Sequence, residues 1–506
     1  MMKSPGALGF LCLAVSLATA TVPTVNVRNY GALGNGVADD TVAIKRAIAA
    51  IPASGATLYF PCGTYRITSS LSPIRISGVS VIGPTTNCVT LKATGTASLT
   101  MLELEGAGLN ESQLLTSNTT ANTFTVAGGG LAKLGIHTGS YVLVSDAATH
   151  SHGPGSPLIA NQQMVKVISI NGDTATIENG FSTPYTVAAK SYIQKIGSPV
   201  VGALISNLVF DATANTGAAT LGINLALAAA SVIQNVTVKN ILGGGIILDW
   251  GYNNHLHDVS CVRCGDGGVG TQSVMIRRQS KAAVQNLTIT NTATQSVFGF
   301  ALHETHFSTV SNVVVDAGGS DGRPFKLQRS SHNTLSDVTA KNGGGGHNGI
   351  SVTDYSTYNT FNNCVALNNT GNGILTFGDR NSHNTFNNCI AKYNTQAQIG
   401  QMAAWNGTYT DYYNKIIGGT FCCARAIHSR VVGIFSNYTT LSGATISDDL
   451  HLSRNGLTVA ASGVTVHNNR FSGNPLGHDI YVTSGLSSSS YSGNVTPDGT
   501  TPVGTP

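Results

Sequence analysis

Two copies of the hexad Asn-Thr-Phe-Asn-Asn-Cys, at 359–364 and 384–389, lie 25 residues apart. Sliding that phase along the chain finds one apolar anchor per repeat: Ile205, Ile233, Leu256, Val284, Val310, Leu335, Phe361, Phe386, Ile416, Leu441 and Val466, at intervals of 23 to 30 residues. Most anchors open a pattern of apolar, any, Asn or Asp, apolar, any, apolar, as in Ile233-Gln-Asn235-Val236-Thr-Val238 and Val284-Gln-Asn286-Leu287-Thr-Ile289. A polar turn residue between two short alternating runs predicts two short strands and a bend, and leaves no room for a helix. A unit this small buries its apolar faces only by stacking on the next copy, so the prediction is a solenoid whose coils share one core.

Composition agrees with a β-rich rod. Only 10% of the 506 residues are charged, 41% are hydrophobic and 59 are glycine, which suits many turns and argues against disorder. The formal net charge of +4, without a Lys/Arg run or basic helix, argues against a nucleic-acid partner. Lys3, the apolar run Ala7 to Leu17 and Ala18-Thr19-Ala20 read as a signal peptide over 1–20, so the chain is expected to be secreted and extracellular, or periplasmic in a Gram-negative cell. No later segment is long and apolar enough to span a membrane. Cleavage would remove Cys12 from the nine cysteines, leaving an even number compatible with disulfides of unread pairing. Oligomeric state is unread as well.

After the signal, residues 21–106 read as a cap and first coils. Asp39 and Asp40 are N-cap candidates for a short helix whose Ile44, Ala47, Ile48 and Ile51 share a face, as suits the open end of a solenoid. The stretch 55–67 reads as two strands joined by Pro61-Cys62-Gly63. Asn29-Tyr-Gly-Ala-Leu-Gly-Asn-Gly36, Asp39-Asp-Thr41 and Tyr59-Phe-Pro-Cys-Gly-Thr-Tyr65 resemble the N-terminal signature of the pectate-lyase superfamily. The resemblance implies an all-β, right-handed parallel β-helix with an N-terminal capping helix. It also implies a class that includes polysaccharide lyases, glycoside hydrolases, uronate epimerases and virus tailspikes.

Residues 107–197 break the repeat with alternating segments such as Thr123–Val126, Ser140–Val144, Met164–Ile170 and Thr174–Ile177. They predict an antiparallel β insertion, which either walls a substrate groove or is a plain elaboration. Coils are expected again over 198–484, and the Ser/Gly/Thr/Pro-rich 485–506 reads as a flexible tail.

The repeat also locates a candidate site. Leu248, Ile276, Leu302 and Leu327, eight residues before their anchors, form an inward column, so the columns seven and nine before the anchor face outward. The first reads Asp249, Arg277, His303, Gln328, Asp354 and Asp379. The residues that follow are Trp250, Arg278, Glu304, Arg329, Tyr355 and Arg380, and the column nine before the anchor adds Lys326. Coils stack about 4.8 Å apart, so these residues become neighbours. Asp249, Trp250, Arg278, Tyr355, Asp379 and Arg380 are the expected substrate-binding residues, with Trp250 and Tyr355 stacking on sugars.

Two chemistries fit the stripe. β-Elimination on a uronic-acid polymer needs the carboxylate neutralised, the C5 proton removed and the C4 oxygen released, and Arg277, His303, Lys326 and Arg329 suit those roles. Hydrolysis needs two carboxyl groups. Glu304 with Asp354, two coils and roughly 9–10 Å apart, suits inversion, and Asp354 with Asp379, one coil and about 5 Å apart, suits retention. The excess of bases favours an acidic polysaccharide and ranks elimination slightly ahead. C5 epimerisation shares its first step, and a carbohydrate-binding or adhesion rod is the non-enzymatic alternative. The polygalacturonase set of Asn-Thr-Asp, Asp-Asp, Gly-His-Gly and Arg-Ile-Lys is not found at appropriate spacing, nor is the acidic cluster that usually holds calcium in pectate lyases. Calcium stays open as a cofactor, and no metal ligand is assigned.

Other motifs have structural readings. Asn207, Asn235, Asn286, Asn312, Asn363 and Asn388, with Asp258 and Asp337, recur two residues after the anchor and are expected to form a ladder at a turn. His255, His257, Cys261 and Cys264 have zinc-like spacing, yet alternation sends Cys261 inward and both histidines outward. Cys364 and Cys389 are expected as stacked core thiols.

Overall fold

The structure, a computed structural model, describes residues 22–150, 159–265, 272–290, 298–318, 321–378, 380–401, 412–425, 428–450, 452–473, 478–483 and 488–495. The expected signal peptide over 1–20 lies outside them.

Every anchor is buried, and each pairs in parallel register with the next, Ile205 with Ile233, Ile233 with Leu256, and so on to Leu441 with Val466. The column continues past the repeats that the sequence marks. Val25 pairs with Leu58, Leu58 with Val81 and Val81 with Ile205 at one end, and Val466 with Tyr491 at the other. The protein is therefore an all-β parallel β-helix. A 24-stranded sheet carries the anchors, and a 13-stranded sheet closes the coil. Their inner faces share one core in which Phe361 and Phe386 stack at 4.8 Å and Phe300 lies 5.5 Å from Phe325. Each fully buried Phe contributes about 1.5–3 kcal/mol relative to exposure.

Two amide ladders hold the bends. The predicted one occupies left-handed backbone, with φ of 51° at Asn235, 55° at Asp258 and 53° at Asn286, which Asn and Asp tolerate better than other side chains do. Asn286 donates to Asp258 and Asn312 to Asn286, both at 2.8 Å. The second ladder, two residues before the anchor, is buried: Asn333, Asn359 and Asn384 each donate from Nδ2 to the Oδ1 of the next, at 2.9, 3.0 and 3.2 Å, with Asn414 the last acceptor. Its sequence mark is His-Asn-Thr or Tyr-Asn-Thr before Leu335, Phe361 and Phe386.

The capping helix spans Thr41–Ala49 and buries Ile44, Ala47 and Ile48. Asp39 accepts the Thr41 N–H at 3.0 Å, whereas the Asp40 carboxylate holds the preceding loop through the N–H groups of Leu33 and Gly34. Disulfides join Cys62 to Cys88 and Cys422 to Cys423, and Cys364 and Cys389 are buried free thiols. Cys261 and Cys264 are buried, while His257 pairs with Asp258 at the surface, so the zinc-like set does not converge. The expected flexible tail is corrected in part: Ser490–Ser492 pairs with Thr465–His467, and Asn469 donates to Asn494 at 3.0 Å. A Ser-rich composition hides one more coil because Tyr491 alone supplies its anchor.

The described strands within 107–198 form a six-stranded antiparallel sheet with its own core of Phe124, Val142, Val144, Val165, Val167 and Ile193. A Cβ on Gly106 would lie 2.8 Å from the Ser198 carbonyl oxygen, so the two ends of the insertion leave the coil side by side. They leave from the corner that follows the strand Thr100–Glu105 of the 13-stranded sheet. Strand Ile159–Asn171 then lies against Gly244–Tyr252 and Gln272–Ser280, and Met164 and Ile196 cluster with Leu227, Ala229 and Tyr252.

Candidate active site

In later coils the same corner carries the predicted stripe. Four successive strands of the 13-stranded sheet carry a left-handed residue there, Trp250 (φ 46°) and Arg278 (51°) near the ends of Gly244–Tyr252 and Gln272–Ser280, and Glu304 (49°) and Arg329 (48°) just after Phe298–His303 and Arg323–Gln328. Such residues, at a conformation that costs an ordinary side chain roughly 1–2 kcal/mol, turn the chain sharply. Opposite charges alternate along the corner. Arg277 is hydrogen-bonded to Asp249, Arg278 lies 3.5 Å from Asp249 and 3.2 Å from Glu304, and Arg329 pairs with the other Glu304 oxygen. Removing one partner from so dry a network would strand the other charge.

The register corrects the outward column beyond this point. Gln328 pairs with Thr353 and Thr353 with Phe377, so Asp354 is not a strand residue. It sits in a corner that has grown by one residue, with Asp354 (φ 45°) and Tyr355 (57°) both left-handed. Ser330 N–H donates to Ser356 Oγ and Ser356 N–H to Asn381 Oδ1, which fixes the equivalence. Counting back from the anchor missed the added residues. Gln328 donates to Asp354 at 2.7 Å, and a Cβ on Gly378, itself at φ +95°, would meet the Asp354 carboxylate at 2.2 Å. Asp379 lies outside the described residues.

The insertion folds over this corner and leaves a cleft of about 260 Å³. Glu304, His306, Arg329, Ser331, Tyr355, Arg380 and Tyr412 line one side, and Asn161, Gln162, Ser182, Thr183 and Tyr185 the other. Four predicted residues thus meet there: Glu304, Arg329, Tyr355 and Arg380. The Arg380 guanidinium lies 5.5 Å from the centre of the Tyr355 ring. Asp249, Arg277, Arg278 and Trp250 form a paired end of the corner instead. Trp250 donates to Gln162 at 3.4 Å and carries the Arg278 guanidinium 4.5 Å from its ring centre, so one ring face is already occupied by protein. Lys326 does not join the cleft. It opens into a separate cavity of about 110 Å³ with Arg323, His347 and Ser351.

Sequence reasoning missed His306, Ser331 and Tyr412, a polar column four residues before the anchor that was legible by the same ruler. The insertion residues carried no such signal. His303 and His306 are both held neutral, near a pKa of about 3: burial is the main cause for each, followed for His303 by Lys326, Arg329, Arg277 and Arg278, and for His306 by His332 and Arg329. Ser331 donates its N–H to His306 Nδ1 at 3.3 Å, which leaves the ring hydrogen on Nε2. Burial, then Asp146 and Glu304, push the Tyr185 hydroxyl well above its ordinary range. Among the described residues, the one close group of three residues of metal-ligating type is Cys422, Cys423 and Asp449; its two cysteines are joined in a disulfide, and none of the three lines the cleft.

Residues 24–174 match the family described as rhamnogalacturonase A/epimerase, pectate lyase-like, and residues 268–421 match the right-handed β-helix region. Mannuronan C5-epimerase AlgE2 of Azotobacter vinelandii is 38% identical over 87 residues, a stretch that covers 17% of this chain and 7% of that protein. Two solved structures share the fold. The tailspike gp49 of Pseudomonas phage LKA1 is 13% identical, with a TM-score of 0.63 over 92% of this chain and 81% of its own. The Gp54 tailspike of Acinetobacter baumannii bacteriophage AP22, solved with a capsular saccharide, is 11% identical, with a TM-score of 0.57 over 91% and 77%. The N-terminal signature, the matched regions and the stacked coils together show a pectate-lyase-like domain and a right-handed β-helix region in a chain of the parallel β-helix fold.

Proposed function

We propose that the protein is an exported enzyme that acts on a uronic-acid polysaccharide held in the cleft, and that its chemistry begins with removal of the C5 proton. The observation that carries this reading is the set of groups lining the cleft. Arg329, Arg380, neutral His306 and three tyrosines face one carboxylate, Glu304, whose oxygens already engage Arg278 and Arg329. A two-carboxylate hydrolysis finds no second acid among the described lining residues.

In this mechanism Arg329 and Arg380 hold the uronate carboxylate, and with His306 Nε2–H they stabilise the charge that builds on it as C5 loses its proton. Tyr355, beside the Arg380 guanidinium, takes that proton as the general base. In elimination the C5–H electron pair becomes the C4=C5 double bond, the C4–O4 bond breaks, and O4 takes a proton from Tyr412. In epimerisation, the second reading, the C5–H bond breaks in the same way and a proton returns to C5 from the opposite face, forming a new C5–H bond while the C4–O4 bond stays intact. The stretch of similarity to a mannuronan C5-epimerase favours keeping it.

The test is incubation in D2O with mannuronan, polygalacturonate and neutral glycans, following unsaturated-uronate absorbance, reducing ends and deuterium at C5. Unsaturated ends or C5 deuterium are expected on a uronate polymer, with kcat/KM falling about 10²-fold or more in Arg329→Gln and Arg380→Gln. New reducing ends without unsaturation, or binding without any turnover, would overturn the reading in favour of a hydrolase or a binding rod.

A further inference from the structure

The Lys326 cavity lies on the same sheet as the cleft and is not used by the chemistry above. In the strand Arg323–Gln328, Phe325 and Leu327 enter the core, so Lys326 projects from the outer face. The Lys326 ammonium and the Arg323 guanidinium lie 5.0 and 5.1 Å from the centre of the Phe298 ring. An aromatic face attracts a cation without neutralising it. Among the described residues Lys326 makes no hydrogen bond or ion pair, and the carboxylates nearby are engaged elsewhere: Asp321 with His347 Nε2 at 2.7 Å, and Asp354 with the Gln328 amide. Ser351, the register partner of Lys326 on the next coil, accepts from Asn348 at 3.3 Å, which leaves its own O–H free to donate.

Two half-buried cations, a hydroxyl donor and no available carboxylate make a cavity suited to an anionic oxygen group. The cost of the unpaired charge is visible in the Lys326 ammonium, drawn down to about 8. Burial is the main cause, Asp354 opposes it, and Arg323 and Arg329 add to it. We propose that this cavity is a second anion subsite, holding the carboxylate of another sugar of the same polymer while Arg329 and Arg380 hold that of the reacting one. The proposal rests on the reading of the cleft. Lys326 and Arg329 are three residues apart along a strand and its corner, about 10 Å, so the polymer would lie along the strand direction, following one coil and perpendicular to the solenoid axis.

The unmodified full chain is treated with an acetylating N-hydroxysuccinimide ester at pH 8, and acetylation of Lys326 is timed by peptide mass spectrometry. Four additions are compared: oligomannuronate, oligogalacturonate, the same oligosaccharides with their carboxyl groups reduced, and inorganic sulfate. Either uronate oligosaccharide is expected to slow the reaction by up to about tenfold, as a rise of one pKa unit would, with little effect of the reduced ones. Equal protection by reduced oligosaccharides would mean steric cover, protection by sulfate alone would mean a small-anion site, and no protection would mean no site; each overturns the proposal. Lys326→Met is expected to raise KM on the uronate polymer with kcat unchanged, the mark of lost ground-state binding. Carboxylate-specific protection together with full turnover in Arg329→Gln and Arg380→Gln would leave the subsite standing and sink the reading of the cleft.

Discussion

His303 and His306 are three residues apart, and both are neutral in the folded protein at a pH where an unfolded histidine is charged. Each folded pKa, about 3, lies below the ordinary value of 6.5, so the unfolded chain binds more protons between those limits. Stability is therefore expected to be complete above pH 6.5 and to fall as pH drops towards 3, by about 1.4 kcal/mol per pH unit for each histidine. Urea midpoints at pH 4, 5 and 7 measure the slope. A His303→Asn, His306→Asn double variant should flatten it, and an unchanged slope would show that neither ring is buried as described. Of the two, the repeat as a ruler singled out His303 alone, because only the columns six to nine before the anchor were read. His306 belongs to the column four before the anchor and lies under the insertion, and nothing in the local sequence tells that a cover will exclude water from it.

At the level of the coil, the two amide ladders are expected to respond differently. Asn359 donates to Ser330 O at 2.8 Å and to Asn384, and accepts from the Asn333 N–H and side chain. Asn359→Ala would orphan buried groups on both neighbouring coils and is expected to cost about 2–5 kcal/mol. Asn363, at an exposed bend with φ of 52°, needs chiefly a residue that accepts left-handed backbone. Asn363→Ala is expected to cost about 1 kcal/mol and Asn363→Gly less. Denaturant unfolding of the three variants checks the order, and equal losses would refute the distinction. The exposed ladder was legible because Asn or Asp recurs within the anchor pattern itself. The buried one was equally periodic but lay just outside the six residues that the pattern spans.

Over the whole molecule, the insertion and the solenoid are separate cores joined at one corner. Because Gly106 and Ser198 are adjacent, replacing 107–197 by a short Gly/Ser link is expected to leave a folded β-helix. The cut would remove the wall formed by Asn161, Gln162, Ser182, Thr183 and Tyr185 and expose Leu227 and Tyr252. Turnover should fall at least about 10²-fold, since substrate positioning and water exclusion both depend on that wall. Circular dichroism and the D2O assay together measure this. A folded deletion with full activity would move the site away from the cleft.

The amino-acid sequence by itself determined the coil, its period, the inward column, the capped end and the stretch that interrupts the repeat. All of these follow from apolar residues that must be buried at regular spacing, a local constraint written into every copy. It also placed Glu304, Arg329, Tyr355 and Arg380 on one corner. Tertiary structure decided which charged groups share a space. The corner lengthens by a residue at Asp354 and Tyr355, which no anchor-to-anchor count reveals. The insertion folds over the coils that carry Glu304 to Tyr412 and divides one stripe into a paired end, a cleft and the separate cavity of Lys326. Those outcomes depend on where the insertion's own core comes to rest against the solenoid, and that is settled by the packing of Met164, Ile196 and Tyr252 rather than by any repeat.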